Sequence, residues 1–289
     1  MDILLTGATG AVGIDLAGAL EAVGHRVLAA TRNPGTYNGE GRAVAFDLDA
    51  TDIDPGDARS QADAAYYLVH ALDRPDVGAV DRRRAERFAA AWGPDRTVVY
   101  LGGLGPRDAP SPHLRSRQEV GEILRDRCRT VELRASIVLG PRSLSFRLLQ
   151  ALSCLASRSP LPLVAPDAAR VRTQPIAQAD LTEALVAALD LDPGSYDIGG
   201  PEVVTFAALL ERAAKAQGRE LRTVPAVPIG PDWFGPLAAL LVGVDPWATT
   251  SLLASMATET VVDDARRPPG PDGSATDLDT ALAQALAAR

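Results

Sequence analysis

The sequence predicts an α/β fold, a parallel sheet covered by helices on both faces. Three observations carry the prediction. Short apolar, β-branched runs alternate with stretches of helical spacing from residue 2 to beyond residue 200. A glycine-rich turn joins the first such run to the first helical stretch. The chain has 289 residues, 46% of them hydrophobic, enough for a sizeable core.

The elements follow in order. "DILLTG" is a strand ending in a turn, and "AVGIDLAGALEAVG" is a helix that stops at Gly24. "HRVLAATR", "AVAFDL" and "AAYYLVHAL" are the second, third and fourth strands. "DVGAVDRRRAERFAAAWG" is a helix with Val77, Val80 and Phe88 on its apolar face. Asp81 reads as merely a charged residue on that helix. "RTVVYLGG" is the fifth strand, "PHLRSRQEVGEILRDR" a helix, and "RTVELRASIVLG" one long sixth strand. Beyond Gly140 come a helix over 143–158, a short strand and helix over 170–190, then a strand, a turn and a helix capped by Thr205.

Residues 1–165 form the expected nucleotide-binding core, completed by about 171–200. A smaller C-terminal substrate region spans 201–265. Within it two apolar helical pieces, 231–243 and 246–257, meet at Gly243–Pro246. They form a helical hairpin that either packs on the body or serves as a lid over an apolar ligand, with Trp233, Phe234 and Trp247 as substrate contacts. The tail 266–289, rich in Pro, Gly and Asp, is expected to be partly disordered.

Composition excludes several classes. The formal charge of −8 is spread along the chain with no basic stripe, which argues against nucleic acid as a partner. No apolar run reaches the ~18 residues of a membrane span. No secretory leader is read at Met1, and Cys128 and Cys154 lack metal-ligand spacing. His25, His70 and His113 show no ligand pattern, so no metal is expected. A cytoplasmic location with reduced thiols is expected; oligomeric state is not legible.

The strongest motif is "LLTGATGAVG". Gly7 permits a tight turn, Gly10 lets a pyrophosphate approach the backbone at a helix N-terminus, and Gly13 permits close helix–strand packing. This is a dinucleotide site on a doubly wound Rossmann sheet. The second strand ends in Arg32 instead of an acid. An arginine there suits a 2′-phosphate, which favours NADPH over NADH. Asp47 after the third strand is placed either to meet the adenine amino group or to cap its own turn.

With "AYYLVHAL", "VVYLGGLGP", "SPHLRSRQEVGEIL", "LRASIVLGP", "QPIA" and "YDIGGPEVVTF", the chain resembles the atypical, NmrA-like short-chain dehydrogenase/reductases over residues 2 to 212. Within that kind it is similar to actinomycete angucyclinone ketoreductases of the simocyclinone type. The resemblance implies NADP(H) contacts from Gly7, Thr9, Gly10, Ala11, Val12 and Gly13, then Arg32, Asp47 and Leu48. It further implies Leu68, Val69 and His70, Gly102 and Gly103, and Ala135, Ser136, Ile137 and Val138.

Typical members of that superfamily donate a proton from a Tyr-x-x-x-Lys pair. That pair is impossible here. None of Tyr37, Tyr66, Tyr67, Tyr100 and Tyr196 is followed by lysine four residues on, and the only lysine is Lys215. Arg117 stands where the lysine would be and can hold the nicotinamide ribose. His113 either donates the proton or orders the start of its helix. Ser116 either binds substrate or caps. These readings give two classes. One is an NADPH-dependent ketoreductase of a bulky aromatic polyketide ketone in antibiotic biosynthesis, whose substrate assists with its own phenol. The other is a non-catalytic, redox-sensing NADP(H)-binding regulator.

Overall fold

The computed structural model describes residues 1–50, 56–71, 76–106, 111–158, 169–221, 245–256, 258–269 and 275–287. Strands β1 (Asp2–Thr6), β2 (Arg26–Thr31), β3 (Arg42–Ala45), β4 (Ala64–Tyr67), β5 (Thr97–Gly103) and β6 (Arg129–Ala135) alternate with α1 (Ala11–Ala22), α2 (Gly56–Ser60), α3 (Val77–Trp92) and α4 (Pro112–Arg127). After β6 come β7 (Val138–Leu139), α5 (Leu144–Arg158), β8 (Arg172–Thr173), β9 (Ile176–Ala177) and α6 (Gln178–Ala187). Then follow β10 (Gly194–Ile198), β11 (Val204–Thr205), α7 (Phe206–Ala216), α8 (Pro246–Met256) and α9 (Leu278–Ala287).

Seven strands form one sheet in the order β10-β6-β5-β4-β1-β2-β3, every neighbour parallel. The order reverses between β1 and β4, where doubly wound sheets place their ligands. The sheet is buried on both faces because its strands are apolar on both. Leu16 and Leu20 of α1 and Leu181 and Leu185 of α6 pack with Ile3, Leu5 and Val131 on one face. Phe88 and Trp92 of α3 and Val120 and Leu124 of α4 pack with Leu4, Val98 and Tyr100 on the other.

A separate apolar cluster joins Phe146, Leu149 and Leu152 of α5, Leu209 and Ala213 of α7, and Leu278, Ala281 and Leu282 of α9. This corrects the expectation of a disordered tail for residues 278–287. Leu278, Ala281, Leu282 and Ala285 recur at helical spacing and are buried. Asp180 fixes the approach to that helix by accepting from the backbone N–H and the hydroxyl of Thr276, each at 2.8 Å. Glu202 accepts from Leu278 N at 2.9 Å.

The single sixth strand is corrected too. It ends at Ala135, and β7 pairs with β9 instead of continuing the main sheet. At the break, the Ser136 hydroxyl bonds those of Thr173 (2.8 Å) and Thr260 (2.7 Å), which bond each other at 2.9 Å. Thr205 caps α7 as predicted, accepting from Ala208 N at 3.2 Å. Of the predicted hairpin, residues 231–243 with Trp233 and Phe234 lie outside the described residues. No described helix is long and apolar enough to cross a membrane.

Candidate active site

The glycine turn is built as its spacing requires. Gly7 sits at φ 74°, and a Cβ there would stand 2.9 Å from the Leu68 carbonyl oxygen. A Cβ on Gly13 would overlap the Gly7 carbonyl and stand 2.9 Å from Ala8 Cα. Gly10 begins α1 without a side-chain cap, unlike Ser111 before α4, whose hydroxyl accepts from Leu114 N at 3.2 Å. The first N–H groups of α1 are therefore left for a ligand.

These glycines open into a cavity of about 300 Å³ at the C-terminal ends of the central strands. Gly7, Gly10, Ala11, Val12 and Gly13 line one side. Leu68, His70, Gly102, Gly103, Arg117, Ala135, Ser136, Ile137 and Val138 continue the wall, and His113 joins them. The sequence thus brings most of its predicted residues to one place. Thr9, Leu48 and Val69 lie nearby in sequence but do not line this cavity. Arg32 is exposed just beyond β2. The Asp47 carboxylate holds its own turn, accepting from Asp49 N at 2.9 Å.

Three sequence readings change. Asp81 is more than a charged residue on its helix: it is 2% exposed and lies on the buried stripe of α3 with Val77, Val80, Ala85 and Phe88. Ser116 is 3% exposed and donates to Asp81 at 2.9 Å, so its hydroxyl serves the carboxylate and not the cavity. Trp247 is 52% exposed at the start of α8; that helix reaches the cavity through Leu252 and Ser255 instead. α8 is anchored by the Ser255–Ser111 hydroxyl pair, 2.8 Å apart.

The two histidines meet. His70 Nδ1 lies 2.7 Å from Asp81 Oδ2, and His70 Nε2 lies 3.0 Å from His113 Nδ1. Their rings tilt at 50° with centroids 4.8 Å apart. The Ala71 backbone N–H donates to Asp81 Oδ1 at 2.8 Å. Burial works against the Asp81 charge, but hydrogen bonds from His70, Ala71 and Ser116 prevail and hold its carboxyl below the usual range. Burial pushes both imidazoles down, His113 furthest; its neighbours His70 and Arg117 add to the effect.

Arg117 is a buried cation with no carboxylate partner among the described residues. Its guanidinium lies 5.0 Å from the Tyr100 ring centroid. Tyr66, Tyr67 and Tyr100 are all sealed in the sheet, and burial raises each hydroxyl far above its ordinary range. The Tyr66 and Tyr100 hydroxyls donate to the Leu185 and Arg117 carbonyls, each at 2.8 Å. No described tyrosine lines the cavity, so the imidazoles are its acid–base groups.

No family model and no curated protein matches the sequence. Solved structures do match the fold. A nucleoside-diphosphate-sugar epimerase from Staphylococcus aureus is 15% identical with a TM-score of 0.71, covering 98% of this chain and 100% of that one. TunA, an NAD-dependent NDP-hexosamine 5,6-dehydratase of tunicamycin biosynthesis, is 17% identical with a TM-score of 0.67, over 99% and 96%. A UDP-glucuronic acid 4-epimerase from Bacillus cereus, solved with NAD, is 18% identical with a TM-score of 0.58, over 90% and 97%. At such identities the shared property is the fold.

Proposed function

We propose that this chain is an NADPH-dependent ketoreductase of the atypical short-chain dehydrogenase/reductase kind. The observation that carries the reading is convergence. An uncapped helix N-terminus behind a glycine turn, a cation without a carboxylate partner among the described residues and a histidine line one cavity. A redox-sensing regulator needs the first of these but has no use for an open imidazole beside it.

The residues fit a dinucleotide. The bare Gly10 position leaves the room a pyrophosphate needs, and the Ala11, Val12 and Gly13 amides supply donors to it. Arg32, exposed past β2, is free to take a 2′-phosphate. Arg117 serves the nicotinamide ribose. Leu68, His70, Gly102, Gly103 and the 135–138 segment form the walls. When bound, the cofactor supplies the hydride; the protein aligns the carbonyl and excludes water.

The substrate side carries Leu252, Phe206, Leu144 and Ile137, with Ser255, Thr258 and Thr260 among them. A largely apolar wall suits a flat aromatic ketone such as an angucyclinone. The resemblance over residues 2 to 212 points the same way. Lacking Tyr-x-x-x-Lys, the reaction has two sources for its proton, a phenol on the substrate or His113. Addition of an aromatic polyketide ketone should consume NADPH absorbance and yield the secondary alcohol. If NADPH binds but no ketone of this class is reduced, the reading fails.

A further inference from the structure

Three ionisable groups from three separate segments form a line that ends at the cavity. Asp81 comes from α3, His70 from the loop after β4, and His113 from the first turn of α4. We propose that Asp81, His70 and His113 form a proton relay that protonates the carbonyl oxygen, replacing the absent tyrosine–lysine pair. This rests on the ketoreductase reading. His113 is the catalytic residue; His70, Asp81 and Ser116 position it.

The hydrogen bonds dictate the tautomers. Asp81 Oδ1 accepts from Ala71 N, and Oδ2 accepts from Ser116 Oγ. The carboxylate accepts again at His70, so His70 Nδ1 carries a proton. In the neutral pair His70 Nε2 is then a lone pair, and His113 Nδ1 must donate to it. His113 Nε2 is left bare. It has no partner among the described residues, and it is not one of the sealed, unpartnered polar atoms.

One added proton changes what His113 Nε2 presents. It lands on His113 Nε2, and the Nδ1 proton shifts to His70 Nε2 within their 3.0 Å hydrogen bond. The positive charge then sits on His70, 2.7 Å from the Asp81 carboxylate. His113 is neutral again but now presents an N–H. Delivery reverses the shift: Nε2 gives its proton to the oxygen, and His70 Nε2 returns one to His113 Nδ1. The carbonyl carbon gains a hydride, its π pair moves to oxygen, the oxygen gains one proton, and the pair ends neutral.

Several charges bear on this pair. Asp81 favours the added proton, whereas Arg117 and Arg84 oppose it. Tyr67 and Tyr100, packed beside Asp81 and Arg117, stay neutral. With burial added, the loaded form is the minor one at neutral pH. Ketone reduction therefore accelerates as pH falls below the ordinary histidine range, and oxidation of the product alcohol runs the opposite way.

The test combines two readouts on the full chain. Imidazole ¹⁵N NMR without cofactor should find protons on Nδ1 of both His70 and His113, and Asp81→Asn should lose the His70 preference. In NADPH turnover, His113→Ala should lose ~10²–10⁴-fold, and Asp81→Asn on the order of 10²-fold or more, with NADPH affinity kept. Rates in mixed H₂O and D₂O should bow, because two protons move together. A His70 proton on Nε2 overturns the relay whatever the activity. A His113→Ala variant within about tenfold of the parent rate also overturns it and makes the substrate's phenol the donor. A parent protein with the expected NMR pattern that binds NADPH but reduces no ketone overturns the ketoreductase reading instead.

Discussion

Gly10 and Gly13 are three residues apart in one motif, yet they should fail differently when substituted. A Cβ on Gly13 meets the Gly7 carbonyl and Ala8 Cα, both backbone atoms of the turn. Neither can swing aside, so α1 must move away from β1. Overpacking of this kind costs ~1–3 kcal/mol. At roughly 2–4 °C per kcal/mol for a large domain, Gly13→Ala should melt ~2–12 °C lower. Gly10 is different. Its backbone is extended (φ −78°, ψ 167°), and a Cβ there meets only the Gly7 carbonyl oxygen, at 3.2 Å. Gly10→Val should therefore lose less stability than Gly13→Ala and lose NADPH, because its side chain fills the place of the pyrophosphate. The assay is thermal unfolding by circular dichroism with and without NADPH. Saturating cofactor, at about 100 times its Kd, should add ~2.7 kcal/mol to the parent protein and nothing to Gly10→Val. Equal cofactor stabilisation of the parent and Gly10→Val would place the nucleotide elsewhere and refute the argument.

Three further outcomes are expected. Titration should find tighter binding of NADPH than NADH, and Arg32→Ala should erase the difference; equal affinities in the parent would remove the basis for NADPH. The melting temperature should fall as pH drops from about 6.5. Both imidazoles are held below their ordinary range in the fold, so the unfolded chain binds more protons there. Asp81, held low, adds its own loss at more acid pH; a His113→Gln variant should flatten the upper limb, and a parent melting temperature that rises on acidification would contradict the sign. Asp197→Ala should cost ~3–5 kcal/mol in denaturant unfolding, because it strands buried Arg134, which donates to Asp197 at 2.7 Å. A loss below about 1 kcal/mol would mean that the pair is solvated.

The fold was legible because each strand and helix declares itself locally. α4 begins at Pro112 and α3 at Val77, where the spacing puts them, and the glycine turn fixes which strand ends face the ligand. The grouping of Asp81, His70 and His113 was not. His70 and His113 are 43 residues apart, and nothing in either neighbourhood announces the other. Asp81 did leave a signal. It follows Val80 on a helix whose apolar positions include Val77, Ala85 and Phe88, so its own place is on the inward stripe. The abundance of arginine around it hid that place. The same holds for Leu278, Ala281, Leu282 and Ala285, whose helical spacing sits behind a Pro- and Gly-rich stretch.

The second apolar cluster has a consequence for how the protein is made. The main sheet is complete once β10 has emerged from the ribosome, so the glycine turn can be in place early. α5 and α7 must wait for α9, which supplies Leu278, Ala281 and Leu282 to their shared core. During synthesis a nascent chain can thus hold the main sheet in finished form while Phe146, Leu149 and Leu209 remain uncovered. A stalled or shortened product would be a finished sheet with an adhesive flank, material for chaperones.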